Sequence, residues 1–591
     1  GWHSQMRTTT GSGNISVGQN TLENITTANF NTAIGNAALR DSTTSDNTAV
    51  GYNALYLNST GHTCTAVGSK ALDANTGGEY NTALGVAALG AITTGDRCTA
   101  IGTYALTANT GSYNTGVGMY ALTANTTAQF NDAFGYQALG GSNTGEYNVS
   151  IGSYSMDANT SGASNVAVGN NALGANTTGS SNVAIGMRAL EANTTADANT
   201  AVGYHALLAN TTGTNNVAVG RGALVSSNSN QNVAVGNYAL EQCTTGAENV
   251  AIGYYSMKDA TTAQYNTAVG EQSMENITTG TRNTAIGNGC MNANSTGSYN
   301  TALGTGALQT YTGSSNTALG YDCMTNCSTG GSNTAVGYQA GEQITTGSEN
   351  VLMGIIAGDE LTTGIQNTVI GSDALGANQT GNYNTALGKG ALQSYTGSQN
   401  TALGRSALGS CTTGGSSAAV GYNALLSNTT GVHNTAVGFE AATAADCNRT
   451  TAVGYRAGYN ITTGKENTCI GSEALFTATT GDENCSIGYY SLYNTTTGSK
   501  NTAVGSNSAG SDNTTGSYNT FIGHNAGDGS TTGNNNIAIG YDSGNVNGTK
   551  CITIGTNVTS IGDFTTTFGT DSDGRVSNEY DTNATWSRTS D

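Results

Sequence analysis

The sequence predicts an all-β chain wound as a parallel β-solenoid, a β-roll or β-helix of about 33 coils of 16–17 residues. Three observations carry that expectation. The phrase Asn199-Thr200-Ala201-Val202-Gly203 returns seventeen residues later as Asn216-Val217-Ala218-Val219-Gly220, and its equivalents recur along nearly all of the chain. Glycine supplies 85 of the 591 residues and proline none, as expected where each coil must offer its backbone N–H groups to its neighbours. Only 9% of residues are charged. A charge at a repeated position would lie about 4.8 Å from its copies and cost about 1 kcal/mol per neighbour even in water, whereas Asn, Thr and Ser can hydrogen-bond along a stack.

The glycine of N-T-A-[VIL]-G anchors the repeat. It runs Gly18, Gly35, Gly51, Gly68, Gly85, Gly102, Gly118 and onward to Gly505, Gly523, Gly540 and Gly555, with a mean spacing of about 16.8 residues. Short steps drop one turn residue, as in Asn109-Thr110-Gly111-Ser112-Tyr113-Asn114. This divides the chain into a lead-in over 1–13, the array over 14–555 and a C-terminal cap over 556–591.

Within one unit each segment has its own task. N-T-A-V-G reads as a short strand, in which Val202 and Val219 point into a core while Ala201 and Ala218 let another backbone approach the opposite face. Gly203 and Gly220 take a backbone angle closed to other residues and turn a corner. Leu207 fills a second apolar slot, and Asn210-Thr211-Thr212-Gly213 is the return turn. A helix over Tyr204–Asn210 fails on length, since seven residues cannot sustain one alone. Seventeen residues at about 3.3 Å each suffice for a closed coil of two or three short strands.

Composition excludes several functions. The net charge of −20, without basic runs, argues against nucleic acid, and no run approaches eighteen apolar residues, so no membrane insertion is expected. The eleven cysteines fall out of register, which suits buried thiols replacing Ala, Thr or Val better than disulfides or a metal site. The five histidines occur singly, N-x-[ST] sequons follow from the turn formula, and Asp571-Ser572-Asp573-Gly574 lacks the spaced acids of a calcium loop. No cofactor, no metal and no enzymatic constellation is expected.

Aromatic residues are the one suggestive surface feature. Tyr or Phe recurs five residues before the anchor, as at Tyr80, Tyr113 and Tyr147, and one residue after it, as at Tyr136 and Tyr204. Such rings either offer stacking platforms to a sugar or cover backbone at corners and subunit seams.

The N-x-A-[IV]-G-x-x-[AS] core resembles the head repeats of trimeric autotransporter adhesins, and N-T-A-[IV]-G-x-x-A-L arrays resemble those of phage and virus tail fibres. The present unit is about three residues longer than the adhesin repeat, the excess lying in N-T-T-G. The resemblance implies a left-handed solenoid and a homotrimeric rod. The tail, through Trp586, Arg588, Ser590 and Asp591, resembles the start of the S74-type intramolecular chaperone of endosialidase-like fibres. In that family a serine cuts the chain at a Ser-Asp bond, which implies Ser590 as nucleophile and Asp591 as the residue after the cut; the lysine that assists would lie beyond the sequence. The expectation is therefore a virion-surface or extracellular structural fibre that partners itself and a host cell-surface receptor or glycan. The alternative is a cellular adhesin or filament protein. An ice-binding solenoid ranks last, because turn threonines alternate freely with Ser, Ala and Gly.

Overall fold

The structure, a computed structural model, describes residues 2–507, 509–544, 547–560, 562–570, 575–579 and 587–589. The chain divides into two compact units, Gly1–Ser298 and Tyr299–Asp591. In the first, seventeen three-residue strands follow one another from β1 (Ile15–Val17) to β17 (Thr284–Ile286). Each pairs in parallel with the next at the same repeat position; β12 (Thr200–Val202) and β13 (Val217–Val219) align Ala201 with Ala218 and Val202 with Val219. The second unit follows the same plan from β18 (Thr301–Leu303) to β34 (Thr565–Thr570). There the direction reverses, and β35 (Arg575–Glu579) and β36 (Ser587–Thr589) close the unit as antiparallel strands. No helix occurs among the described residues. Each unit is thus a parallel β-solenoid, one coil per repeat.

Each coil contains one strand rather than two or three. The remainder is a chain of turns in which non-glycine residues repeatedly adopt left-handed angles, as at His205 (φ 60), Leu207 (φ 51) and Asn215 (φ 59). Each costs roughly 1–3 kcal/mol, and hydrogen bonding explains why they recur. The His205 N–H donates to the carbonyl of Met187 one coil back, while the Leu207 N–H donates to that of Ala223 one coil on. Between them the Ala206 N–H donates to the Gly203 carbonyl of its own coil, so the turn is bonded to the coil before, to itself and to the coil after, and is stitched into the stack as the strands are. The anchor glycine has a stricter reason. Gly203 sits at φ 137, and a Cβ there would lie 2.5 Å from the carbonyl oxygen of Gly220.

The expectation that Val202 and Val219 face the core is overturned. Ala201 and Ala218 are fully buried, whereas Val219 is 36% exposed and Val202 half-buried. The middle strand position is kept small beside leucines such as Leu207, also fully buried, and valine enters it at Val369, where the leucine position of the preceding coil is Gly358. Gly116 shows the tolerance: a Cβ there would meet Leu106 Cγ at 3.1 Å. Where the middle strand residue is Leu or Phe, the leucine positions on both sides of it are glycine. Leu352 lies between Gly341 and Gly358, whose added Cβ atoms would meet it at 2.5 and 3.0 Å, and Phe521 lies likewise between Gly510 and Gly527, at 2.3 and 2.2 Å. At this place in the core the bulk comes either from the strand or from the turn.

Asparagine lines the rest of the interior. The Asn216 N–H donates to Asn199 Oδ1 at 3.0 Å, and the Asn216 amide donates to the same oxygen at 3.1 Å. The Asn199 amide group also donates to the Gly213 carbonyl at 2.9 Å, tying strand to return turn. A second ladder runs through Asn159, Asn176 and Asn193 at 2.9 and 2.8 Å. Cys64 and Cys98 occupy places in the first ladder, so they replace Asn rather than Ala, Thr or Val; their N–H groups donate to Asn47 and Asn81 Oδ1 at 2.9 Å.

Candidate surface-binding face

Side chains alternate along each strand, so the residues five, three and one before the anchor and the one after it all reach the surface. On one coil these are Tyr80, Thr82, Leu84 and Val86, each exposed, with Asn81 and Ala83 buried between them. The outward strand face therefore carries mostly Thr or Val in its first column and Val, Ile, Leu, Met or Phe in its second. Aromatic residues flank both.

The sequence-predicted Tyr80, Tyr113 and Tyr147 belong to one column. Each adopts a left-handed angle near φ 56–61, which swings the ring out at the corner before the strand. Tyr113 stacks on Phe130 with centroids 4.9 Å apart, and Phe130 on Tyr147 at 5.1 Å, with interplanar angles of 11° and 2°. Arg97 takes the intervening place between Tyr80 and Tyr113, its guanidinium 5.4 and 5.5 Å from their ring centres and donating to the Tyr113 hydroxyl at 2.9 Å. At the near end His62 meets Tyr80 edge-on at 5.3 Å and pairs with Glu79 at 2.9 Å.

Because the spacing of coils nearly equals the stacking distance of aromatic rings, most ring faces here cover one another. A sugar lying flat on a ring would find only the far side of Tyr147, which is 56% exposed and has Ser164 at the next place in the column. Within these stacks the rings present mainly their edges and hydroxyls to solvent. The same holds for Tyr422, Phe439 and Tyr455, one after the anchor, with spacings of 5.1 and 5.5 Å.

Two features escaped the sequence reading. Tyr459, Phe476 and Tyr493, five residues after the anchor, form a third stacked column at 5.3 and 5.0 Å; fixed spacing of 17 could have revealed it. Shallow notches also occur where this position is glycine, as at Gly174 between Asp157 and Glu191. Burial raises the Asp157 carboxyl above its ordinary range.

Most of the thiols are held neutral by burial in this setting. Ten of the eleven are buried and all are free, and burial pushes Cys64 and Cys98 up to about 11 and Cys323 and Cys327 up to about 12. A neutral thiol is neither nucleophile nor metal ligand. Among the described residues no group of three or more His, Cys, Asp or Glu is placed to hold a metal ion. Ser590, Asp591, Trp586 and Asp571–Gly574 lie outside the described residues.

Fold and surface together define a class, the parallel β-solenoid repeat proteins. No protein-family model matches the chain, nor does any curated protein or solved structure.

Proposed function

We propose that the chain is a structural fibre, a homotrimeric, left-handed stalk of the viral tail-fibre or surface-fibre kind that serves attachment to a host surface. The observation that carries this reading is the unbroken one-coil-per-repeat register within each unit. Seventeen parallel strands at about 4.8 Å make each unit a stack roughly 75–80 Å long. The interior of that stack is lined throughout by buried Leu, Ala and Asn, with Ile, Met and Cys among them. Such a body resists bending and digestion and suits a spacer. A cellular adhesin would use the same coil chemistry, though no observation favours it over the fibre.

Electron microscopy of the purified protein tests the mechanical part. Segments of uniform width with the per-unit length above are expected; particles lacking them would overturn it. Light scattering tests the oligomer, and a monomeric mass removes the trimer. The Ser590–Asp591 self-cleavage belongs to the same reading. Mass spectrometry of the product of a reading frame extended past Asp591 should show a chain ending at Ser590, and Ser590→Ala should abolish that species.

A further inference from the structure

The first and third residues of every strand from β1 to β33 face outward. All thirty-three third-position residues, seventeen in the first unit and sixteen in the second, are Val, Ile, Leu, Met or Phe, and none is buried. The first-position column carries a single ionisable acid or base, Asp132 of β8 (Asp132–Phe134). Charges such as Arg97, Glu79, Arg221 and Glu271 lie on the flanks of this strip. An uncharged centre with a charged and aromatic rim is the layout of a protein interface. Eighteen of these thirty-three side chains are more than a third exposed and the others half-buried, so that with the first column beside them the strip offers roughly 800 Å² in each unit, the scale of one partner's share of a specific contact.

We propose that this outward strand face is where copies of the chain meet, and that Asp132 is a deliberate weak point within it. The proposal rests on the trimeric fibre reading and adds the surface and the register. Three identical copies that close about one axis and each contribute a long strip must align that axis with the strip, so that equal coils face one another. Asp132 then meets its own copies. The strand places it between Thr115 and Val149 of the adjacent coils, with Phe130 and Phe134 exposed beside it and no cation in the strip to pair with it. Three carboxylates brought together repel, and a lone charged position in an apolar seam penalises tight closure there while leaving the other coils unaffected. The second copy, rather than a foreign ligand, fits because the face repeats with the period of the chain itself.

Three measurements test this on the full chain. Asp132→Thr restores the repeat residue, and the assembly should dissociate at about tenfold lower protein concentration than the parent. Val202→Asp and Val420→Asp put a further charge on the strip in each unit without entering the core; each should raise the concentration at which the assembly dissociates by about tenfold, and the two combined should shift the mass to monomer with an unchanged far-UV circular dichroism spectrum. Cys485, the one thiol not buried in the single chain, is a first-position residue of β29 (Cys485–Ile487); it should be protected from a thiol reagent in the assembled parent and labelled in the dissociated variants. A parent that is monomeric overturns the trimeric reading itself. A trimer that survives both Asp variants and labels freely at Cys485 overturns this interface alone.

Discussion

Two layers of the solenoid reach the same packing by opposite means. In the common layer alanine faces inward from the strand and leucine fills the space from the turn, as with Ala201 and Leu207, both fully buried. In the layer of Phe521 the strand supplies the bulk, and Gly510 and Gly527 vacate the turn on either side. At this pair of positions the strand and the turn therefore compensate one another in volume, while the identity and origin of the large side chain are free. A repeat that looks degenerate at single positions is tightly constrained when the strand and turn positions are taken as a pair.

The strongest way to break the comparison is to empty the inverted layer. Phe521→Ala leaves a void that neither glycine can fill, and should cost about 3–5 kcal/mol, the usual range for a buried phenylalanine. Leu207→Ala in a common layer should cost about 2–5 kcal/mol. Guanidinium titration with fluorescence or circular dichroism measures both. A cost for Phe521→Ala below about 1 kcal/mol would show that the second unit packs differently from the description above.

Converting one layer into the other sharpens it. Ala201→Leu alone overfills a layer that already holds leucine and should destabilise by about 1–3 kcal/mol. Adding Leu190→Gly and Leu207→Gly reproduces the arrangement around Leu352 and should recover a substantial part of the loss. Glycine also accepts the left-handed angles that Leu190 and Leu207 now carry, φ 52 and 51. Additive costs across the three substitutions would mean that the pairing of large and small seen at Leu352 and Phe521 is coincidental.

Much of the fold was legible in the sequence. The period, the anchor glycine with its special backbone angle, the buried leucine and the return turn follow from spacing and from residue chemistry. The direction of the strand was not, and the reason is physical. Alternation divides a strand into two faces without saying which is inside, and valine's greater apolar area favoured the wrong one. A better signal lay in variability of size. The third strand position accepts Val, Ile, Leu, Met and Phe, as at Val202, Ile252, Leu84, Met353 and Phe134, which only an open face tolerates. The middle position is nearly always Ala, and Asn at the same parity forms a ladder that has to be interior. The aromatic columns were visible as spacing, but whether ring faces were free or mutually covered depended on the coil rise and the turn angle, which no local pattern encodes.

The smallest expected effect separates two carboxylates that the coil treats in opposite ways. At Asp446 burial works to raise the carboxyl, but hydrogen bonds from the Thr429 and Thr430 hydroxyls and from the Thr430 and Gly431 N–H groups outweigh it, and the carboxyl is held below its ordinary range. Its Oδ1 accepts from the Thr430 N–H at 2.7 Å and the Gly431 N–H at 3.0 Å, and its Oδ2 from the Thr429 hydroxyl at 2.7 Å. A depressed carboxyl stabilises the fold above the unfolded-state value, and that contribution disappears as pH falls through the folded one. Asp157, raised by burial in its glycine notch, has the reverse sign: its ionised form works against the fold at neutral pH, and protonation relieves this as pH falls through its raised value. Asp446→Asn should therefore lower the melting temperature at pH 7 and flatten its decline in acid, while Asp157→Asn should raise it at pH 7 and converge with the parent near pH 4. Both groups are partly open to solvent, so each effect should stay under about 1 kcal/mol. Melting curves between pH 3 and 8 that moved in the same direction for both variants would contradict the assigned balance of burial against hydrogen bonding.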